Sequence, residues 1–447
     1  MAALAVIQLL RDQPLWYDEE YSVLAARVPL MDLVAAVWHR TGLVSYLSTV
    51  PPSFNAPYYA VLHLWSSLAG TSATALRIPS VLCAAVAVAV VAEIGRRLAG
   101  PGAGVLAGLL CATGPLLLDE ATQARGYGAA LLALVLCALF LVLWLGGRRG
   151  VGRIAAAATA AALLHWFTIP VLVGLAAAAL IRRGRDGRRA AAAIVIGTIP
   201  GLLLVGWSAL GGAPGAPTPA PVGLALPVLA VADWTQGFPV LSAAVAVAAV
   251  LAVRSRHRVL LGCWVVVPLI LITGLELFRP TYFPRYLLFT LVGVMLAAAL
   301  GVAALRSRPG RIAAGLLLIG LSVAAVVPTW SELPMEPVDA AVVALAADQQ
   351  PGEPIIAADG RVALDLDTNL AAAPRLGADL VLPPKEFTNQ TSSDVAWLVR
   401  VVVKTGSIPV LPAQQRLLDT GWSLDRTTTL PGRGVDLVVQ RWIRNPA

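Results

Sequence analysis

Hydrophobic runs separated by short basic loops dominate the first three quarters of the chain. Between residues 74 and 328 there are ten such runs, each a large part or all of the roughly 20 apolar residues that a membrane-spanning helix needs. The runs are 74–95, 102–118, 127–146, 154–165, 167–181, 190–209, 239–253, 259–277, 286–304 and 312–328. The pattern predicts an all-α polytopic membrane domain.

Basic residues mark every second loop between these runs. About half of the 33 lysines and arginines fall in five clusters, at 96–97, 148–153, 182–189, 254–258 and 306–311. Cytoplasmic loops carry the excess of Lys and Arg. The alternate loops are therefore predicted to face outward, at 11–73, 119–126, 165–166, 210–238 and 278–285. The segment after residue 328 follows on the outer side.

The N-terminal run, residues 1–10, is half as long as a span. We expect either that the chain begins upstream or that this helix is half-length, which gives about 11 transmembrane helices in all. The first outer loop, 11–73, holds two amphipathic stretches, 22–27 and 30–40, predicted to lie as helices in the membrane interface. Its many Trp and Tyr residues suit that location.

After residue 328 charged and amide side chains reach the density of a globular domain. Strand-like runs at 353–358, 379–382, 401–403 and 435–439 alternate with stretches that favour helix, such as 338–348 and 393–399. The sequence therefore predicts two domains. Residues 1–328 form a transmembrane domain that includes the 11–73 loop, and residues 329–447 form a small extracytoplasmic α/β domain.

Composition agrees with a membrane protein. The chain is 58% hydrophobic and 13% charged, against about 25% charged in soluble domains. The net charge of +8 resides largely in the membrane loops, so no nucleic-acid partner is expected. Arginine far outnumbers lysine and Ala and Gly abound, which indicates a GC-rich genome and favours a bacterial plasma membrane.

Three consecutive carboxylates, flanked by aromatics, follow the N-terminal run in the stretch LWYDEEYS, residues 15–22. Charges near the hydrocarbon are costly and tend to mark function, and a carboxylate can take a proton from a hydroxyl. Asp18 and Glu19 are therefore candidate catalytic groups. Two other interpretations stay open: an acidic first helical turn, or ligands for a Mg²⁺ or Ca²⁺ ion. No cofactor is otherwise indicated.

The remaining unusual polar residues also lie on the outer side, which predicts an outward cavity. Its candidate residues are Tyr58, Asp119, Glu120, Gln123, Arg125, Tyr127, His165, Tyr282, Arg285 and Tyr286. Arginines suit bidentate binding of a phosphate. Nucleotide donors are absent outside the cytoplasm, and the chain has no Walker or dinucleotide glycine pattern. An activated donor on this side would be lipid-borne, for example a sugar on a polyprenyl phosphate.

Five motifs in order across residues 15–290 carry a family resemblance. They are WYDEEYS at 16–22, NAPYY at 55–59 with HLW at 63–65, LRIPS at 76–80, QARGY at 123–127 and FPRY at 283–286. With these motifs the chain resembles the integral membrane glycosyltransferases of the GT-C fold. It is similar to the protein O-mannosyltransferase and aminoarabinose-transferase group, glycosyltransferase family 39.

The resemblance implies an inverting transfer of a mannose- or arabinose-like sugar from a polyprenyl phosphate to an acceptor hydroxyl on a glycan, lipid or protein. Asp18 would then be the general base, and Glu19 would orient the acceptor or Asp18. Arg285 and Arg125, with Tyr286, would hold the donor phosphate. Gly126 departs from the family pattern, which often has a bulkier residue between this Arg and Tyr.

Two other functions remain open from the sequence. One is a transporter or flippase of a lipid-linked or anionic substrate, which typically has internal repeats and ionisable groups at helix midpoints. The chain shows no convincing repeat, and Glu93, the one acid well inside a run, lies near its cytoplasmic end. The other is a scaffold whose outer domain binds a partner.

Overall fold

The computed structural model describes residues 4–5, 9, 13–52, 55–182, 184–210, 221–280, 282–371, 373–383, 393–403 and 411–445. The chain forms two compact units. We call Met1–Arg11 with Ser53–Ser331 the helical unit, and Asp12–Pro52 with Glu332–Ala447 the α/β unit. The sequence had grouped the loop 11–73 with residues 1–328, whereas in the structure most of that loop packs with the C-terminal residues.

The described helices, in chain order, are α1 (Tyr17–Arg27), α2 (Leu30–His39), α3 (Ala56–Ala69), α4 (Ala73–Ala99), α5 (Pro101–Ala112), α6 (Pro115–Ala121), α7 (Tyr127–Leu145), α8 (Val151–Leu164), α9 (Ile169–Ile181), α10 (Arg185–Ala209), α11 (Leu226–Asp233), α12 (Pro239–Leu251), α13 (Arg258–Phe278), α14 (Leu288–Ala303), α15 (Arg308–Val326), α16 (Val338–Asp348), α17 (Gly360–Leu370), α18 (Pro374–Gly377) and α19 (Pro412–Asp419).

The ten apolar runs predicted from the sequence are all helical in the helical unit. One of them, 102–118, is two helices rather than one: α5 and α6 meet at a 60° bend. Pro115 opens α6 directly after Gly114. A proline fits the first turn of a helix but disfavours the helical conformation in the residue before it, so the run breaks there.

The chain is a multi-pass membrane protein. Among the described residues, six helices are long and apolar enough to cross a membrane, or up to eight if each of two bent pairs is one span. The sequence predicts about 11 spans. Part of the difference lies in shorter apolar helices, such as Val151–Leu164 and Pro239–Arg254, which the six do not include. The first apolar run, 1–10, lies largely outside the described residues.

Helix α14 is the centre of the helical unit. Every residue from Leu288 to Val302 is buried, which fits a sequence that is apolar on all sides. The indole Nε1 of Trp264 on α13 donates to the carbonyl of Phe289 at 3.0 Å. Gly293 permits this approach, because a Cβ there would lie 2.7 Å from the indole ring. The core thus fixes the residues just C-terminal to the FPRY motif.

The α/β unit contains one mixed sheet. Its strands are β1 (Ile355–Ala357), β2 (Leu380–Val381), β3 (Val395–Val403), β4 (Trp422–Leu430) and β5 (Val435–Arg444), in the spatial order β2-β1-β3-β5-β4. The pairs β1–β2 and β1–β3 are parallel, and β5 is antiparallel to both β3 and β4. The predicted α/β class and its four strand-like runs are confirmed.

The helix predicted at 393–399 is wrong, because most of this segment is strand. Trp397 in β3 pairs with Ile355 on one side and with Arg441 on the other. A central strand buried on both faces is a continuous apolar run, and periodicity alone does not distinguish it from a buried helix. Strand β4 was missed because most of its side chains are exposed and polar.

Helices α1 and α2 confirm the helices predicted in the first outer loop. They meet at a 117° bend. The side chains of Met31, Val34 and Trp38 are 75%, 59% and 66% exposed and recur at the spacing of one helix face. This apolar stripe has the form that the interface prediction requires.

Candidate functional site

The acidic triple forms the first turn of α1. Trp16, with extended backbone, is the N-cap residue, and Asp18, Glu19 and Glu20 follow within the first turn. Carboxylates at this end of a helix are favoured by its dipole. The triple therefore forms the acidic first helical turn that was one of the interpretations from the sequence. Their exposure differs. Glu19 and Glu20 are buried, whereas Asp18 is half-buried.

Glu20 joins α1 to α17 within the α/β unit. Its Oε1 accepts a hydrogen bond from Nδ2 of Asn369 at 2.5 Å, and the same amide donates to the carbonyl of Asp365 at 2.8 Å. The carboxyls of Glu20 and Asp365 lie close enough to shift each other's pKa. Both side chains are almost fully buried. Because two ionised carboxylates only accept hydrogen bonds, their close approach is favoured when one of them is protonated.

A second group of contacts lies beside this pair. The backbone N–H of Tyr17 donates to Oε2 of Glu336 at 2.6 Å. Glu336, fully buried, forms an ion pair with Arg361 of α17, whose guanidinium lies 5.0 Å from the centre of the Tyr17 ring. These contacts satisfy one of the backbone donors that a helix start leaves unpaired. The first turn of α1, which carries Asp18, is therefore held on both sides by residues 336–369.

The Glu20–Asp365 pair makes the α/β unit sensitive to pH. Burial, followed by the nearby Asp365 carboxyl, raises the pKa of Glu20 well above its ordinary value. Burial also raises the pKa of Asp365, to about 6, although the hydrogen bond from Glu20 and the charge of Arg361 oppose this. Both groups therefore hold protons more tightly in the folded state than in the unfolded chain.

We expect the stability of the α/β unit to fall as pH rises from about 4 through about 6, the pKa of Asp365 in the folded state. In this window the unfolded chain releases a proton that the folded state retains, so the free energy of unfolding decreases by up to about 3 kcal/mol. Glu20→Gln keeps the shape and supplies a permanent donor to Asp365, so it should flatten this dependence. The measurement is the thermal unfolding midpoint of the purified protein across this pH range.

Asp419→Asn is the control for this prediction, since it removes an exposed carboxyl on α19 of the same unit. It should leave the slope of stability against pH as in the wild type. An equally steep slope in Glu20→Gln would show that the buried pair does not cause it.

The acidic turn does not assemble a ligand set for a metal ion. Neighbouring residues on a helix do not face each other, and Glu20 is directed to Asn369. In the part of the chain that the structure describes, no group of three or more His, Cys, Asp or Glu side chains could hold a metal. The Mg²⁺ or Ca²⁺ site stays a prediction from the sequence.

In the helical unit an aromatic cluster forms at one end of the helices. The ring of His165 lies 4.7 Å from that of Tyr127 and 5.4 Å from that of Phe289. Phe167 stacks on Tyr286 at 3.7 Å between ring centres. His165, Tyr127, Phe167 and Phe289 are all buried. Residues from three separate segments thus meet in one place.

Both candidate phosphate-binding arginines border this cluster. The guanidinium of Arg125 lies 5.5 Å from the centre of the Tyr127 ring. That of Arg285 lies 4.7 Å from the Phe283 ring and 5.8 Å from the Tyr286 ring. The rings that the two arginines border belong to the same cluster, since His165 lies beside Tyr127 and Phe167 stacks on Tyr286. The structure therefore brings together Arg125, Arg285 and Tyr286, the set predicted to hold a phosphate.

Close packing around position 126 explains why this residue is glycine. A Cβ at this position would lie 2.9 Å from the carbonyl oxygen of Leu164 and 3.3 Å from the Tyr58 side chain. The missing side chain lets the buried ring of Tyr58 pack directly against the backbone between Arg125 and Tyr127. The departure from the family pattern thus coincides with a closer approach of α3, and Arg125 keeps its place beside Tyr127.

Three further candidates lie on or just after α6, not in a loop. Asp119 is half-buried, and Glu120 and Gln123 are buried. An Oδ2 of Asp119 accepts from Nε2 of Gln236 at 3.3 Å. Gln236 adopts a left-handed backbone conformation, with φ of 49°, which is uncommon for a residue other than glycine. Asp119 therefore joins the outer ends of α6 and α11.

Two hydrogen bonds give Tyr282 a structural role. Its hydroxyl donates to Oδ2 of Asp233 at 2.6 Å, and its N–H donates to Oε2 of Glu276 at 2.9 Å. Glu276, which is buried, also accepts from the N–H of Val222 at 3.1 Å. These bonds hold the segment before Arg285 in place, so Tyr282 supports the arginine's backbone.

Several residues of this arrangement were not assigned from the sequence. Asp233 and Gln236 are lone polar residues between apolar stretches of the loop 210–238, a signal that could have identified them. Glu20 lies in the acidic stretch at residues 15–22 but was assigned no role from the sequence. Asp365 and Asn369 carry no local signal, since they lie on an ordinary amphipathic helix far along the chain.

The chain is similar to known proteins in one segment of its sequence and in its fold. Residues 55–206 match the family described as dolichyl-phosphate-mannose-protein mannosyltransferase. No curated protein sequence matches the chain. The structure is similar to the crystal structure of ArnT from Cupriavidus metallidurans in the apo state, with a TM-score of 0.55 and 13% identity, covering 98% of this chain and 97% of that one.

A crystal structure of the same protein bound to undecaprenyl phosphate is similar to an equal degree. Its TM-score is 0.56 at 13% identity, covering 98% of this chain and 96% of that one. The similarity extends over both units, and at this identity it bears on the fold. The expected fold class, a GT-C-like helical membrane domain with a small α/β domain, is confirmed. The matched segment is about a third of the chain, so the chain is similar to the mannosyltransferase family over residues 55–206 and has the GT-C-like fold of ArnT over its length.

Proposed function

We propose that the protein transfers a mannose- or arabinose-like sugar from a polyprenyl phosphate to an acceptor hydroxyl on the outer face of a bacterial plasma membrane, with inversion. The observation that carries this proposal is that Arg125 and Arg285 border one aromatic cluster: Arg125 lies 5.5 Å from the centre of the Tyr127 ring, and Arg285 lies 5.8 Å from that of the Tyr286 ring. Two guanidinium groups beside buried aromatic rings suit a phosphate that arrives on a lipid. ArnT of Cupriavidus metallidurans, which shares the fold, binds a polyprenyl phosphate.

In this proposal the reaction is a single displacement. Asp18 takes the proton of the acceptor hydroxyl, whose oxygen attacks the anomeric carbon. The bond from that carbon to the phosphate oxygen breaks, and the polyprenyl phosphate leaves with the electron pair. Arg285 and Arg125 stabilise the negative charge that develops on this phosphate. Glu19, which is buried beside Asp18 in the same helical turn, acts by positioning.

The proposal is tested by incubating proteoliposomes containing the protein with radiolabelled polyprenyl-phosphate mannose, arabinose and aminoarabinose and a membrane-envelope acceptor fraction. We expect label to move from one of these donors into the acceptor fraction. The control is the same vesicles without the protein. Movement of intact donor across the bilayer without transfer would instead support the transporter or flippase.

A further inference from the structure

A cavity lies at the other end of the helical unit from the arginine–aromatic cluster. Its volume is about 430 Å³. Helix α7 connects the two ends: it carries Tyr127 at its start and Leu145 at its end, and its 19 residues span about 28 Å. The cavity borders the basic loops, so the charge pattern places it on the cytoplasmic side.

The polar lining of this cavity is entirely basic. Among the described residues it consists of Arg97, Arg182, Arg256 and His257, and no acidic side chain is among them. Arg97 is fixed by a hydrogen bond from its Nε to Glu93 at 2.6 Å. Nε of Arg256 donates to Nε2 of His257 at 2.9 Å. Side chains from α4, from the end of α9 and from the loop before α13 therefore converge on one space.

The surroundings of His257 indicate a positive electrostatic potential in the cavity. The pKa of His257 lies below its ordinary value because the ring is partly buried and because Arg256 and Arg182 lie nearby. A hydrogen bond to the Leu98 backbone opposes this effect. Since both arginines disfavour a further positive charge, they favour a negative one at the same place.

The rest of the lining is apolar and continues onto the lipid-facing surface. Leu141, Leu145 and Leu260 form the wall. Ile181 and Val259, also in the lining, are 56% and 37% exposed. In a membrane-spanning unit, such exposed apolar side chains face lipid. A basic recess that opens beside lipid-facing helices fits an amphiphile with an anionic head and apolar chains better than a free anion.

We propose that this cavity binds the phosphate head group of an anionic phospholipid from the cytoplasmic leaflet, a site separate from the donor-phosphate site. Arg182 and Arg256 contact the phosphate, and the acyl chains leave along Ile181 and Val259. The inference goes beyond the proposed transfer reaction and does not depend on it.

The test measures lipid retention by the purified full-length protein in neutral detergent, using native mass spectrometry. The probes are phosphatidylglycerol, phosphatidylcholine with the same acyl chains, and inorganic phosphate. We expect tight retention of one phosphatidylglycerol and none of phosphatidylcholine. The double variant Arg182→Ala/Arg256→Ala should weaken this binding about 30-fold, since each basic residue near an anionic head group contributes about fivefold.

Arg148→Ala/Arg149→Ala is the matched control, because it removes the same charge from a basic loop whose arginines do not line the cavity. It should retain phosphatidylglycerol as the wild type does. Equal weakening in both double variants would overturn the proposal in favour of a general charge effect. Displacement of the lipid by inorganic phosphate at equal concentration would overturn it in favour of a free-anion site.

Discussion

Asp18→Asn is expected to reduce sugar transfer by about 100- to 10,000-fold, the range for loss of a general base. The substitution preserves the size of the side chain but removes its ability to accept the acceptor's proton. Its position supports this role: Asp18 is half-buried, whereas Glu19 and Glu20 are buried. It is thus the most exposed carboxylate of the triple. The measurement is the initial rate of transfer from the donor identified above, at saturating concentration.

The control for this variant is Asp32→Asn. Asp32 is an exposed carboxylate on α2 in the same outer segment, so its loss removes the same charge without touching the first turn of α1. It should leave the rate unchanged. Binding of the labelled donor by Asp18→Asn shows that the protein is folded. If Asp18→Asn retains more than one tenth of the wild-type rate, its activation free energy rises by less than about 1.4 kcal/mol. That result would refute the role of Asp18 as the base.

Arg285→Ala is expected to reduce transfer by about 100- to 1,000-fold, the range for removing one donor that stabilises developing charge. The guanidinium is held over the Phe283 ring at 4.7 Å, and Tyr286 in turn stacks on Phe167. This packing fixes the arginine before substrate arrives. The effect should fall mainly on kcat, because the phosphate gains charge as it leaves. Arg285→Lys should recover only part of the rate, since lysine lacks the bidentate fork.

Arg279→Ala is the matched control for Arg285. Arg279 is an exposed arginine just after α13 in the same outer segment. Its loss should change the rate little. If Arg279→Ala is as impaired as Arg285→Ala, the effect is one of overall charge and the phosphate assignment is wrong.

The pair Arg125 and Arg285 can be tested as a unit. If both bind the same phosphate, the effects of Arg125→Ala and Arg285→Ala will not add, and the double variant will differ from their product by a coupling of about 0.5 to 3 kcal/mol. If the two effects multiply, the arginines act independently, and Arg125 has only a packing role beside Tyr127.

The sequence by itself determined the membrane unit closely. Apolar runs such as 127–146 and 259–277 became α7 (Tyr127–Leu145) and α13 (Arg258–Phe278), because a run must be apolar to lie in lipid and its helix ends where polar groups reach water. The motif around Arg285 was also readable, since charge near the hydrocarbon is rare unless it has a role. The strand at 395–399 was not, because a buried strand and a buried helix have the same short apolar run.

Only the tertiary structure decided which distant residues meet. Asn369 binds Glu20 from 349 positions along the chain, and nothing local in either segment specifies that contact. The grouping of residues 12–52 with the C-terminal residues depends on such contacts, as does the convergence of Arg125 and Arg285 on one aromatic cluster. Hydrophobic periodicity indicates which face of a segment contacts lipid or core, and it depends only on residues that are close together in the sequence. The partners of a buried charge are chosen by the packing of whole helices, which brings together residues that the chain keeps far apart.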